Sequence, residues 1–280
     1  MKVVRNLLVP AAFAAAFLSG CTTNPITGRS QMVGLVSEGQ AIQGSAQAYQ
    51  ELVGQLEKKK QVERDSVRVK KVEEITDRLI AQAIKLRPNS AGWKWEVQVI
   101  NDPKTVNAFC MAGGKMAIYT GLLEQLKATD DEIAQVMGHE ISHALADHTR
   151  ERMSVATATN AGVQILGAVA GVGRVGSDLM QNAAVIAIGL PNSRESEAEA
   201  DQIGIELAAR AGFDPKAAVT LWQKMGKEGG GPPEFLSTHP SPQNRAARLA
   251  DLGRQVTPLY VAAKSGTPSE SGKLITFPRK

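Results

Sequence analysis

The chain holds four histidines, and three of them, His139, His143 and His148, fall within "QVMGHEISHALADH", residues 135–148. Side chains four positions apart on an α-helix point in nearly the same direction. His139 and His143 can therefore offer two imidazoles to one metal ion, with Glu140 beside them as a base. This is the H-E-x-x-H arrangement, and its chemistry is hydrolysis by a zinc-activated water. Catalytic zinc takes three protein ligands and keeps a fourth position for water, so the motif calls for one ligand more.

The zinc-protease pattern that places a glycine and then a third histidine at three-residue steps after the second histidine does not fit, because those places hold Ala146 and Thr149. His148 follows His143 by five residues and points to another face of the helix, which suits a structural role or a partner to a ligand better than a ligand. The stretch "SRESEAEAD", residues 193–201, brings Glu195, Glu197, Glu199 and Asp201 close together. An acidic helix start complements the dipole and accounts for Glu195. Glu197 and Asp201 are four apart and share a face, as a third zinc ligand and a carboxylate partner for a ligating histidine would have to. Glu197 is accordingly the expected third ligand and Asp201 the carboxylate behind it.

His239, the one histidine outside the cluster, stands in a loop beside Pro240. It reads either as a surface residue or as a group that reaches the metal, there to donate to an oxyanion or to fill the open position and hold the site latent. Arg194 and Arg245 are either helix-capping or site-supporting, and the sequence leaves that open.

These side chains need helices under them and a wall beside them. From Asp130 the apolar positions Ile133, Val136, Met137, Ile141 and Leu145 follow helical spacing, with Thr129 or Asp130 as cap, so the histidine cluster rides on a helix. A second helix starts near Ser193 and closes at Gly212. Helices are also expected over 38–57, 62–86 and 215–226. "WKWEVQVI", residues 93–100, alternates as a strand, and "VNAFCMA" and "KMAIYT" flank the Gly113-Gly114 turn, giving a small antiparallel sheet ahead of the cluster. Between the two site helices, residues 153–191 carry Gly- and Ala-rich runs that read as a helical hairpin packed on the protein or touching lipid, and less readily as a membrane span.

Composition sets outer bounds. With 280 residues, 43% hydrophobic and 21% charged, the chain is of ordinary globular type. The first residues, "MKVVRNLLVPAAFAAAFLSGC", join a basic start to a short apolar run and small residues before a cysteine, which is an export signal. Its end, Leu18-Ser19-Gly20-Cys21, resembles a bacterial lipobox, which makes Cys21 a lipid-modified anchor. Thr22 in place of an aspartate favours outer-membrane attachment facing the periplasm. Cys110 is then the remaining cysteine, expected as a buried packing residue. Loss of Lys2 and Arg5 takes the formal charge from +4 to +2, too mild an excess for a nucleic-acid partner. The expected division is a signal peptide over 1–20, a lipid-anchored tether over 21–37, a catalytic domain over 38–255 and a flexible tail over 256–280.

"HEISH", "SRESEAEAD" and "THPSPQNR", in that order, resemble the zinc metallopeptidase family that groups the CAAX prenyl endopeptidases with bacterial HtpX, BepA and LoiP. Ser193, Arg194, Glu197, Ala200 and Asp201 match its S-R-x-x-E-x-x-A-D element, and the resemblance spans roughly 65–250. It implies a zincin-like metalloprotease domain of mainly helical α+β class, with one Zn²⁺ per subunit held by His139, His143 and Glu197 and with Glu140 as general base. It also implies the periplasmic, lipid-anchored type, acting on unfolded or misassembled polypeptide. Substrate main chain is expected to pair with an edge strand, the Met116–Tyr119 segment. A holdase or envelope assembly factor with latent proteolysis is the alternative.

Overall fold

The computed structural model describes residues 21–24, 26–64, 67–169, 188–226, 234–239, 244–267 and 273–276. The signal peptide and the second apolar run, up to residue 187, lie outside them. So do residues 240–243 of "THPSPQNR".

The site is built around one helix, α4 (Asp130–Leu145). Thr129 Oγ1 accepts the Glu132 amide at 3.3 Å, while the Glu132 carboxylate accepts the Thr129 amide at 2.9 Å. This reciprocal cap, with three acidic residues in the first turn, fixes where the helix begins. Every residue from Glu132 to Leu145 is buried, so α4 is surrounded rather than amphipathic. It packs against α2 (Val67–Leu86), α6 (Arg194–Arg210), α7 (Lys216–Met225) and a sheet.

That sheet holds β3 (Glu96–Ile100), β4 (Ala108–Met111) and β5 (Lys115–Tyr119) in the order β3-β5-β4. β4 and β5 form the expected antiparallel hairpin, turned by Gly113 and Gly114 at φ of 81° and 80°, a conformation that favours glycine. β3, however, runs parallel to β5, so the sheet is mixed. Alternation identifies a strand but not its neighbour, and residues 101–107 carry the chain past β5 before β4 begins. The same order corrects the expected edge: the Met116–Tyr119 segment lies in the central strand, and the edge beside α4 is β4. Ala108, Cys110, Met116 and Ile118 face α4, whereas Phe109, Met111 and Ala117 pack with Tyr49 on α1 (Glu38–Lys58). Cys110 is buried and free.

The described residues at 21–32 and at 245–276 are more ordered than composition suggests. Residues 21–24 and 26–32 form a docked hairpin rather than a loose tether: β1 (Cys21–Thr23) pairs with β2 (Ser30–Met32). Asn24 Nδ2 and Gln31 Nε2 donate to the Ala146 carbonyl, at 3.1 and 2.6 Å, and so cap the C-terminus of α4. At the other end α9 (Arg245–Lys264) continues through Pro258, because Leu249, Leu252 and Val256 bury against α6 and α7. Beyond it, the Ile275 and Thr276 amides donate to the buried Glu206 carboxylate at 2.9–3.0 Å. Polar, weakly patterned sequence gave no sign of these contacts, since they depend on partners far along the chain.

Between these ends lie α3 (Thr120–Gln125), α5 (His148–Val169) and the short α8 (Glu234–Thr238). Among the described residues no helix is long and apolar enough to cross a membrane.

Candidate metal centre

Two helices meet with their polar rows face to face. From α4, His139 Nε2 and His143 Nε2 come within 3.1 Å of each other. From α6, whose Ser193 cap accepts the Ser196 amide at 3.1 Å, Glu197 presents its two carboxylate oxygens. His139 Nε2 lies 3.4 Å from Oε2, and His143 Nε2 lies 3.4 Å from Oε1. Tetrahedral zinc with bonds of about 2.0–2.1 Å holds its ligand atoms about 3.3 Å apart. The triangle of donors has that size.

The chemistry of the donor set also fits an ion. Glu197 is fully buried, yet its Oε1 has no hydrogen-bond partner. A buried acceptor without a partner, facing two imidazoles, is costly unless something positive sits between them. Burial alone would push the Glu197 carboxyl up, but the facing His239 and His139 hold it well below the usual range, so it remains anionic. His139, His143, Glu197 and His239 each offer one ligand atom, all within 4.8 Å of one another.

Behind His139 stands the expected carboxylate. Asp201 Oδ1 lies 3.1 Å from His139 Nδ1, which turns the other ring nitrogen toward the donor triangle. Burial works against a charged His139, but Asp201 and Glu197 outweigh it and raise its pKa to about 9. Arg245, left undecided by sequence, belongs here. Its Nη1 donates to Glu197 Oε2 at 3.0 Å and its Nη2 to Asp201 Oδ1 at 2.6 Å, with the guanidinium stacked 3.8 Å from the Trp222 ring centroid. Arg248 donates to Asp201 Oδ2 at 2.6 Å, whereas Arg194 is exposed.

Behind His143 stands His148. The two Nδ1 atoms are 2.7 Å apart, and His148 Nε2 reaches Glu199 Oε2 at 2.8 Å. His148 is thus placed behind a ligand candidate rather than among the donors.

Glu140 turns toward a small cavity shared with Asn107, Ala108, His143, Arg152 and His239. Its Oε1 is buried without a hydrogen bond, 3.3 Å from His239 Nε2. His239 is buried and no surface residue: its ring stacks on Phe235 at 4.2 Å, and its Nδ1 lies 3.0 Å from the Phe235 carbonyl oxygen, leaving Nε2 aimed at Glu140. Arg152 did not stand out in the sequence. Burial lowers its guanidinium to about 10, against the pull of Glu197 and Glu140, so it is cationic at neutral pH. Its spacing of four from His148 on one helix was the available signal.

The sequence matches the description "Peptidase family M48" over residues 66–252. The chain belongs to peptidase family M48. Every residue placed at the donor triangle, and Glu140, Asp201, His239 and Arg245, falls within the matched span. Among M48 relatives, the mitochondrial metalloendopeptidase OMA1 of Arabidopsis thaliana is 40% identical over 186 residues, covering 65% of this chain and 37% of that protein. Metalloprotease LoiP of Escherichia coli K12 is 33% identical over 175 residues, covering 61% of this chain and 67% of LoiP. The beta-barrel assembly-enhancing protease of E. coli O157:H7 is 30% identical over 184 residues, covering 62% of this chain and 37% of that protein. The chain spans half or less of the length of the OMA1 proteins of Arabidopsis and of two yeasts. The OMA1 likeness had no counterpart in the resemblance drawn from motifs, which pointed only to the bacterial members and the CAAX prenyl endopeptidases.

Proposed function

We propose that this chain is a zinc metalloendopeptidase that cleaves unfolded or misassembled polypeptides of the bacterial cell envelope. The observation that carries the reading is the donor triangle of His139, His143 and Glu197 with Glu140 beside it. A site that only bound metal would have no use for a buried carboxylate facing the cavity.

Zinc, when bound, lowers the pKa of a water and polarises a carbonyl. Glu140 is the base that takes the water's proton and can return it to the leaving amine. Asp201 and Arg245 hold His139 and Glu197 in place, so that little reorganises as substrate arrives. Edge strand β4 borders the cavity through Ala108, Phe109 and Cys110. Main-chain pairing there would bind extended polypeptide with little regard to side chains, which suits an unfolded substrate.

The finer reading places the chain with the periplasmic, lipid-anchored members of the family, held to the outer membrane through Cys21. The lipobox-like Leu18–Cys21 and the likeness to LoiP and to the beta-barrel assembly-enhancing protease support it. Labelling with a radioactive fatty acid tests the anchor: wild type takes up label and Cys21→Ser does not, while equal labelling of both would overturn it.

Incubation of the zinc-loaded protein with unfolded casein tests the activity. Cleavage lost on chelation and restored by zinc is the expected result, and no cleavage under any loading would overturn it. A latent enzyme that works mainly as an assembly factor is the second reading, and His239 favours it by standing within the donor group. Cleavage gained in His239→Ala supports latency; cleavage lost there assigns His239 to the reaction instead.

A further inference from the structure

The docked N-terminal hairpin does more than cap α4. Glu199, on α6, accepts three hydrogen bonds, two on Oε2 and one on Oε1. One comes from His148 Nε2 at 2.8 Å, one from Arg29 Nε at 2.6 Å, and the third from the Thr27 hydroxyl. The remaining nitrogens of Arg29 hold Glu151 on α5 in a two-pronged pair, at 3.1 and 2.6 Å. Glu199 and His148 are both buried.

The protons along this chain have one consistent arrangement. His143 turns Nε2 toward the donor triangle, so that nitrogen must be unprotonated to bind zinc and the ring proton must sit on Nδ1. That N–H donates to His148 Nδ1, which must then be an acceptor. His148 therefore carries its proton on Nε2 and donates it to Glu199, which Thr27 and Arg29 fix from the other side. Each donor has an acceptor, and the chain runs without a break from residue 27 to the metal site.

We propose that the segment following Cys21 is a working part of the metal centre: Thr27 and Arg29, acting through Glu199 and His148, are positioning residues that orient His143 for zinc. The inference rests on the reading that the donor triangle holds zinc. It goes beyond the family match, which begins at residue 66 and leaves Thr27 and Arg29 outside. It also places this support within ten residues of the expected lipid anchor, so the stretch that would tether the domain is the stretch that steadies a ligand.

The test measures zinc affinity by competition with a chromophoric chelator, the absorption spectrum of the cobalt-substituted protein and the melting temperature of the metal-free protein. All are read on the full chain for wild type, Arg29→Ala, Thr27→Val, His148→Leu, His148→Gln and, as a control outside the relay, Tyr49→Phe. Loss of a group behind a ligating histidine weakens metal binding about 10- to 100-fold. Arg29→Ala and His148→Leu are expected to show that loss and an altered cobalt spectrum, and Thr27→Val a smaller loss. His148→Gln should recover most of the affinity, because its amide accepts with Oε1 and donates with Nε2 as the imidazole does. Tyr49→Phe, which removes a hydrogen bond to the Met116 carbonyl, should lower the melting temperature and leave the affinity alone. Should Arg29→Ala fail to fold, Thr27→Val decides. Wild-type affinity and spectrum in the hairpin variants would overturn the proposal, as would affinities that merely follow melting temperature across the series. A wild type that binds no zinc would instead strike the functional reading on which this one stands.

Discussion

Gly138 and Gly204 pack backbone against backbone where α4 crosses α6. A Cβ placed on Gly204 would lie 2.8 Å from the His139 Cα, and one on Gly138 would lie 2.9 Å from the Gly204 carbonyl oxygen. Both distances are shorter than real Cβ contacts allow, and the atoms met are backbone. The two glycines thus set the spacing of the helices that carry the two halves of the site, one residue before His139 and three after Asp201. Gly204→Ala should push the helices apart, lower stability by about 1–3 kcal/mol and weaken zinc binding at the same time. Denaturant unfolding and chelator competition check it; an unchanged zinc affinity would show that the close approach does not set the ligand spacing.

Arg245 carries a second prediction. It is almost fully buried, and its guanidinium is shared between the Glu197 and Asp201 carboxylates. Removing one member of such a group leaves buried charge without compensation. Arg245→Ala should cost the metal-free protein about 3–5 kcal/mol of unfolding free energy. A loss under about 1 kcal/mol would mean that solvent or His139 already balances the carboxylates.

Much of the site is legible in the amino-acid sequence. The H-E-x-x-H spacing is a property of helical geometry, so His139, Glu140 and His143 follow from it, and the i,i+4 pair of Glu197 and Asp201 follows by the same rule. The helices are legible from local signals: Thr129 and Ser193 are caps, and the apolar positions from Ile133 to Leu145 follow helical spacing. What stays hidden depends on contacts between distant segments. Arg245 needs α9 folded back on α6, and the role of Arg29 needs an N-terminal hairpin that composition presents as a tether. Strand order belongs here too, since alternation over residues 93–100 says nothing about whether β5 or β4 lies beside it. Gly138 and Gly204 carry no pattern of their own, and only the crossing of two helices gives them meaning.

Acid should loosen the N-terminus of α4 before the metal site itself is considered. Burial would raise the Glu132 carboxyl, but the Lys224 ammonium, the Thr129 amide and the Thr220 hydroxyl outweigh it and hold the pKa below its ordinary value. A depressed pKa in the folded state contributes stability above the unfolded value of 4.5, and that contribution is lost as pH falls through the folded one. Lys224→Met and wild type should therefore differ in stability at pH 7 and converge at acid pH, where Glu132 is protonated in both. A constant gap in chemical unfolding from pH 7 down to pH 3 would refute this assignment.

Removing the metal should be visible without any substrate. An ion that binds only the folded chain adds roughly 2.7 kcal/mol when its free concentration is a hundred times its dissociation constant. For a chain of this size that corresponds to about 5–10 °C of melting temperature. A chelator should lower the transition by that much and zinc should restore it, with one ion per chain at the end of the titration. A transition indifferent to chelation would exclude zinc from the triangle.

In the proposed function Glu140 does the chemistry while His139, His143 and Glu197 hold the ion, and paired zinc and cleavage measurements on Glu140→Gln separate the two roles. Glutamine keeps the shape and removes the base. One zinc per chain, as in wild type, with casein cleavage reduced by at least about 100-fold, is the expected result. Full cleavage by a zinc-loaded Glu140→Gln protein would contradict it.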